Sequence, residues 1–221
     1  MQPAKPHEHG GIDEPALVRI LEYAEQGADL RRRFFAANAG VIAASALRIA
    51  VILARGNKVM ICGNGGSAAD AQHMAAEFVN RFLMDRPPLP ALALTTDSSI
   101  LTAVGNDFSF DQVFAKQINA LGKPGDLLIA LSTSGNSVDV LRALEAAREG
   151  DIHSLGLTGN GGGKCAALCD CLINVDSTVT PLIQEIHITV THLLCGLTDY
   201  YLFDNVGALT PWLKADNTQL P

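Results

Sequence analysis

The chain has 221 residues, of which 48% are hydrophobic and 18% charged, a globular composition rather than a disordered one. Its formal net charge of -7, with no compensating basic run, argues against a nucleic-acid partner. The apolar runs are short and broken by Gly, Ser or charge. The start, "MQPAKPHEHGG", has no apolar stretch, so the reading is neither a membrane span nor a secretory leader.

Residues 1–12 read as a mobile tail, with His7 and His9 solvated. Helical spacing follows over 13–32 and again over 34–55, with Gly27 and the Arg31-Arg32-Arg33 run taken as the break between two helices. Two helices ahead of the first strand leave apolar surface that the sheet or another subunit must cover. Strand and helix then alternate. Strands are expected at 58–63, 89–96, 126–132, 153–158 and 171–175. Helices are expected at 67–84, 97–105, 108–121, 137–149 and 181–203, with a short one opened by "GNGGG" and a C-terminal tail over 206–221. Short apolar strands alternating with helices predict an α/β fold, a doubly wound parallel sheet flanked by helices, with ligands at the carboxyl ends of the strands. Residues 13–205 form a single domain on this reading. The five cysteines, with "CAALCDC" holding Cys165, Cys169 and Cys171, read as free thiols of a reducing cytoplasm, since no second cluster completes a tetrahedral metal set.

Gly63-Asn64-Gly65-Gly66-Ser67-Ala68 fits the G-x-G-x-x-A dinucleotide fingerprint. A dinucleotide site also needs an acidic residue about 20 positions on, to bind the ribose. That zone is Pro87-Pro88-Leu89-Pro90, and Asp97 comes too late. The dinucleotide reading therefore fails. On the helix after the glycines, Asp70, His73, Glu77 and Arg81 fall on one stripe, with Ala71, Ala75, Val79 and Phe82 opposite, toward the sheet. Such a stripe can be a solvated face with a Glu77–Arg81 pair worth about 0.3–0.5 kcal/mol. The Gly/Ser turn before it, with backbone N–H groups at a helix N-terminus, shifts the reading toward an anionic ligand beside that stripe.

Ser132-Thr133-Ser134-Gly135-Asn136-Ser137 carries four hydroxyls between a strand and a helix. It reads either as an ordinary turn and N-cap or as a phosphate cradle. The last helix carries Gln184, Glu185, His187 and His192. Spacing does not choose between the histidines. Gln184 and His187 are neighbours at i,i+3, whereas Gln184 and His192 lie about 12 Å apart along the axis and roughly 80° around it.

Four segments in order, "CGNGGSAADAQHMAAEF", "LTTDSSILTAVGND", "LSTSGNS" and "QEIHITVTH", resemble the sedoheptulose 7-phosphate isomerases, or phosphoheptose isomerases, of the SIS (sugar isomerase) domain family. The resemblance spans about residues 15–203. It implies a five-stranded parallel sheet flanked by helices, a homotetramer with active sites at subunit interfaces, and one zinc ion per subunit. Zinc would lie on His73, Glu77, Gln184 and His192, the resemblance choosing His192 over His187. Substrate would contact Asn64, Gly65, Gly66, Asn106, Asp107, Ser132, Thr133, Ser134 and Ser137, with Ser67, His73, Glu77, Arg81 and Gln184 lining the same pocket.

The implied reaction is the isomerisation of sedoheptulose 7-phosphate to D-glycero-D-manno-heptose 7-phosphate, the first step toward ADP-heptose. Glu77 would be the base and His192 the acid. Pro181 departs from members that carry an acidic residue there. A non-catalytic SIS tetramer that binds the bacterial replication initiator resembles the same loops, but in that branch the carboxylate matching Glu77 is absent. Another sugar-phosphate isomerase, or a sugar-phosphate-sensing SIS protein, would share the hydroxyl loop.

Overall fold

The computed structural model describes residues 14–214 and 220–221, so the expected tail over 1–12 lies outside the described residues. The strands are β1 (Val59–Gly63), β2 (Ala91–Ala93), β3 (Leu127–Ser132), β4 (His153–Gly159) and β5 (Cys171–Val175). They form one parallel sheet in the order β2-β1-β3-β4-β5. Every residue of β1 and β3 is buried, which explains why these strands read as unbroken apolar runs rather than alternating ones.

Alternation survives in which face each residue serves. Val59, Ile61, Leu127, Ile129, Leu131, Leu155 and Leu157 pack on one side with α1 (Glu14–Ala54), α2 (Gly66–Val79) and α6 (Thr180–Asp199). Met60, Cys62, Leu128 and Ala130 pack on the other side. There they meet α4 (Ala115–Leu121) and α5 (Val138–Glu149), with α3 (Ser98–Asp107) at the margin. Neighbouring side chains of a strand point to opposite faces, so one apolar run feeds two cores.

The expected pair of N-terminal helices is one continuous helix, α1, of 41 residues. Gly27 and the arginine run do not break it. A helical glycine costs only about 1 kcal/mol relative to alanine. Asp29 pairs with Arg32 and Arg33 across successive turns, and Arg31 donates to Thr189 on α6. By length and composition alone α1 could cross a bilayer, contrary to the sequence reading. Its second half is committed to the protein interior instead, with Ala46, Ile49, Ala50 and Ile52 buried.

Other boundaries shift for local reasons. The strand expected over 89–96 is three residues long, hemmed by Pro87, Pro88 and Pro90. The helix expected over 108–121 divides into a 3-10 turn, Phe110–Gln112, and α4. The C-terminal segment is not simply a tail. A 3-10 turn, Val206–Leu209, leads into α7 (Thr210–Lys214), Leu209 is buried, and Trp212 and Leu220 pack on Ala50 and Val51. Arg55 donates to the Trp212 carbonyl and Arg48 to the Pro221 carbonyl.

Candidate functional site

In this strand order the chain starts at β1, steps to β2 on one side, then crosses to β3 on the other. That reversal opens a crevice between the carboxyl ends of β1 and β3, the switch point at which open α/β sheets bind ligands. The glycine turn after β1 and the hydroxyl loop after β3 flank it. A cavity of about 530 Å³ lies at the opposite end of the sheet, lined by Arg148, His153 and Asp170 among others. It belongs to the amino ends of the strands, and none of the motif residues reaches it.

In the hydroxyl loop, Ser132 and Ser137 are hydrogen-bonded to each other, 3.1 Å between hydroxyl oxygens. Ser137 sits at the N-cap of α5 but makes no side-chain cap, and the Val140 N–H of that first turn is taken by Asp139 Oδ1 instead. Gly135 adopts φ 62°, and a Cβ there would lie 2.0 Å from the Gly162 carbonyl oxygen. The glycine-rich segment after β4 is thus pressed against this loop and fixes its shape.

α2 and α6 bring the remaining residues together. His73 Nε2 lies 2.9 Å from His192 Nε2, and 3.4 Å from Glu77 Oε1. The His192 ring stacks on Phe82, centroids 5.6 Å apart. The Gln184 amide rests on the glycine turn: a Cβ on Gly66 would fall 2.5 Å from its Nε2. Asp70 projects toward the same cluster, with Oδ2 buried and without a hydrogen-bond partner among the described residues. Burial raises its carboxyl above the ordinary range, against the pull of His73 and His192.

His187 is elsewhere. It is fully buried and its Nε2–H donates to the Thr158 carbonyl at 3.0 Å. Burial holds this imidazole down at about 4, the Thr158 hydrogen bond opposing only in part. His192 faces the cluster and His187 packs against β4, a distinction that helical spacing alone left open.

Two parts of the expected stripe do not form. α2 ends at Val79, so Arg81 lies beyond the helix, exposed, and no Glu77–Arg81 ion pair occurs among the described residues. The carboxylate pairs with His73 instead. Val79 is 48% exposed and does not face the sheet, and Phe82 turns to His192. The helix stops early because Arg86 donates to the carbonyls of Glu77, Phe78 and Asn80, consuming acceptors that another turn would need.

Ser67 is buried at the start of α2, whereas Asn64, Gly65 and Gly66 are exposed beside the crevice. Thr133 is partly buried and Ser134 is exposed, its hydroxyl accepting from the Asn136 N–H. Asn106 and Asp107, at the end of α3, are exposed and hydrogen-bond to each other at 2.8 Å. No hydrogen bond among the described residues joins them to the two loops. Among the described residues no three His, Cys, Asp or Glu side chains are already arranged around one point as a metal ion would hold them. His73, Glu77 and His192 are adjacent, with His73 Nε2 facing both His192 Nε2 and the Glu77 carboxylate. Their donor types, two imidazole nitrogens and a carboxylate with the Gln184 amide nearby, suit a borderline cation such as zinc. The sequence reading missed Arg86, Asp199 and Asp139, whose partners are distant in the chain.

The SIS domain matches residues 22–159. A phosphoheptose isomerase of Nitratidesulfovibrio vulgaris (strain DSM 19637 / Miyazaki F) is 65% identical over 195 residues, 88% of this chain and 94% of its own. Among solved structures, the phosphoheptose isomerase of Neisseria gonorrhoeae superposes with a TM-score of 0.79 at 42% identity, covering 83% of this chain and 98% of that one. The phosphoheptose isomerase of Francisella tularensis gives 0.80 at 40% identity, with the same coverage.

Proposed function

The chain belongs to the SIS domain family, among its phosphoheptose isomerases, and we infer from this membership and from the crevice that it isomerises sedoheptulose 7-phosphate to D-glycero-D-manno-heptose 7-phosphate. The single observation that carries the chemistry is the contact of His73, Glu77 and His192 across α2 and α6 at the mouth of the switch point.

The interconversion moves one proton from C1 to C2 and one from the C1 hydroxyl to the C2 oxygen. Glu77 takes the C1 proton, giving the enediol, and returns it to C2. His192 serves the oxygens, giving a proton to O2 and accepting one from O1. The hydroxyls of Ser132, Thr133, Ser134 and Ser137, with the Val138 N–H at the start of α5, hold the phosphate without a Lys or Arg. Asn64, Gly65 and Gly66 bring backbone and one amide against the sugar, and Asn106 and Asp107 supply further polar groups at its rim.

His73, Glu77, Gln184 and His192 are the residues that would hold zinc, and their donor set supports that reading. A zinc ion held there supplies Lewis acidity at the carbonyl oxygen.

A homotetramer with active sites at subunit interfaces is part of the same proposal. The first half of α1 exposes Leu17, Val18, Ile20 and Leu21, apolar surface that none of the described residues covers. The crevice is open in one chain, and a neighbouring subunit would close it. Five free cysteines, three of them buried, suit a cytoplasmic location. The non-catalytic scaffold reading is disfavoured, because the carboxylate it lacks is present here and in contact with His73.

The direct test offers the protein sedoheptulose 7-phosphate and a panel of shorter ketose phosphates, following the aldose produced. Turnover of the heptulose phosphate ahead of the others is the expected result. Failure to convert it, with another ketose phosphate turned over, would replace the substrate assignment.

A further inference from the structure

Asn64 follows β1 and Asp139 opens α5, on opposite sides of the crevice. Asn64 Nδ2 donates to Asp139 Oδ1 at 2.9 Å, and the same oxygen accepts the Val140 N–H at 2.9 Å. Asp139 is 4% exposed, so it lies beneath the two loops rather than in the crevice. Its Oδ2 is buried with no hydrogen-bond partner among the described residues. A buried carboxylate with one oxygen unpartnered is costly, and here its other oxygen is engaged by Asn64 and the Val140 N–H.

We propose that Asp139 is a positioning residue, which sets the polarity and orientation of Asn64 from beneath and ties the sugar-facing turn to the phosphate loop. The proposal rests on the reading that these two loops hold the substrate. An ionised carboxylate only accepts hydrogen bonds, so Asn64 must turn its NH2 inward. Its Oδ1 then faces outward as an acceptor for a sugar hydroxyl. The bond also links a residue just after β1 to the second residue of the helix that follows the phosphate loop, so the two ends of one substrate are held at a fixed separation.

Burial raises the Asp139 carboxyl above the ordinary range. The hydrogen bonds from Asn64, the Val140 N–H and its own N–H oppose that rise, and the charge of Asp111 adds to it.

The test compares steady-state kinetics on sedoheptulose 7-phosphate for Asp139→Ala, Asp139→Ser, Asp139→Asn, Asn64→Ala and the double variant Asn64→Ala/Asp139→Ala. Asp139→Ala should raise KM about tenfold while kcat changes by less than about twofold. Asp139→Ser, too short to reach Asn64, should do the same and stands in if the alanine variant does not fold. Asp139→Asn retains an acceptor and should bring KM back to within about threefold of the parent. The double variant should be no worse than the poorer single one, because both remove one interaction. An unchanged KM in Asp139→Ala or Asp139→Ser, beside a raised KM in Asn64→Ala, overturns the role of Asp139 alone. An unchanged KM in Asn64→Ala overturns the loop reading beneath it. Equal losses in Asp139→Asn and Asp139→Ala also overturn the proposal, since a hydrogen bond to Asn64 would then not be what matters.

Discussion

Arg86 and Asp199 form a buried ion pair, Nε to Oδ1 2.9 Å, that fastens the end of the helix bearing His73 and Glu77 to the end of the helix bearing Gln184 and His192. The guanidinium also caps α2 through the Glu77 and Phe78 carbonyls. Removing one partner of a buried pair leaves the other charge uncompensated. Arg86→Ala should therefore cost about 3–5 kcal/mol in denaturant unfolding, against under about 0.5 kcal/mol for exposed Arg81→Ala.

Gly66 is held small by its neighbour on α6 rather than by its backbone angles. Gly66→Ala puts a Cβ 2.5 Å from the Gln184 amide nitrogen, and that amide is the far end of a flexible side chain. The side chain can swing away, so the fold should survive with a loss of less than about 1 kcal/mol. Isomerase activity should drop by at least about tenfold, as misplaced site groups commonly cause. Thermal melts beside activity measurements separate the two effects.

The two histidines of α6 should behave oppositely toward metal. Dialysis against a chelator should abolish activity, and added zinc should restore it. Elemental analysis of His192→Ala should show loss of bound zinc. His187→Gln, altered at a side chain that bonds the Thr158 carbonyl away from the cluster, should retain about one zinc per subunit.

His187 also makes stability depend on pH. Its folded value of about 4 lies below the 6.5 of an ordinary histidine, so the unfolded chain takes up the proton first. The stability tied to the neutral imidazole is complete above about 6.5 and is lost as pH falls toward about 4, by an amount on the order of 3 kcal/mol. Unfolding curves from pH 7 to pH 4 should show this loss in the parent chain, over and above whatever His187→Gln shows.

The strands were legible because burial on both faces leaves unbroken apolar runs such as "LLIALS", and the two turns flanking the crevice because Gly, Ser and Thr cluster after β1 and β3. The break assigned at Arg31 to Arg33 failed, since local charge and a glycine do not outweigh the packing of α1 along α6. The premature end of α2 was invisible because its cause, Arg86, acts through a loop and through Asp199, 113 residues on. The same holds for Asp139, whose partner Asn64 is 75 residues away. The choice between His187 and His192 needed the neighbouring helix, because only His192 meets His73.

In the proposed mechanism Glu77 moves the proton between C1 and C2. The most direct test is turnover of sedoheptulose 7-phosphate in D2O by the parent chain and by Glu77→Gln, with deuterium in the recovered sugar located by NMR. The parent chain should form the aldose and place solvent deuterium at C1 or C2. Glu77→Gln, with its melting curve and oligomer size unchanged, should form no aldose and exchange no proton. Aldose formation and deuterium uptake by Glu77→Gln at near-parent rates would contradict the account.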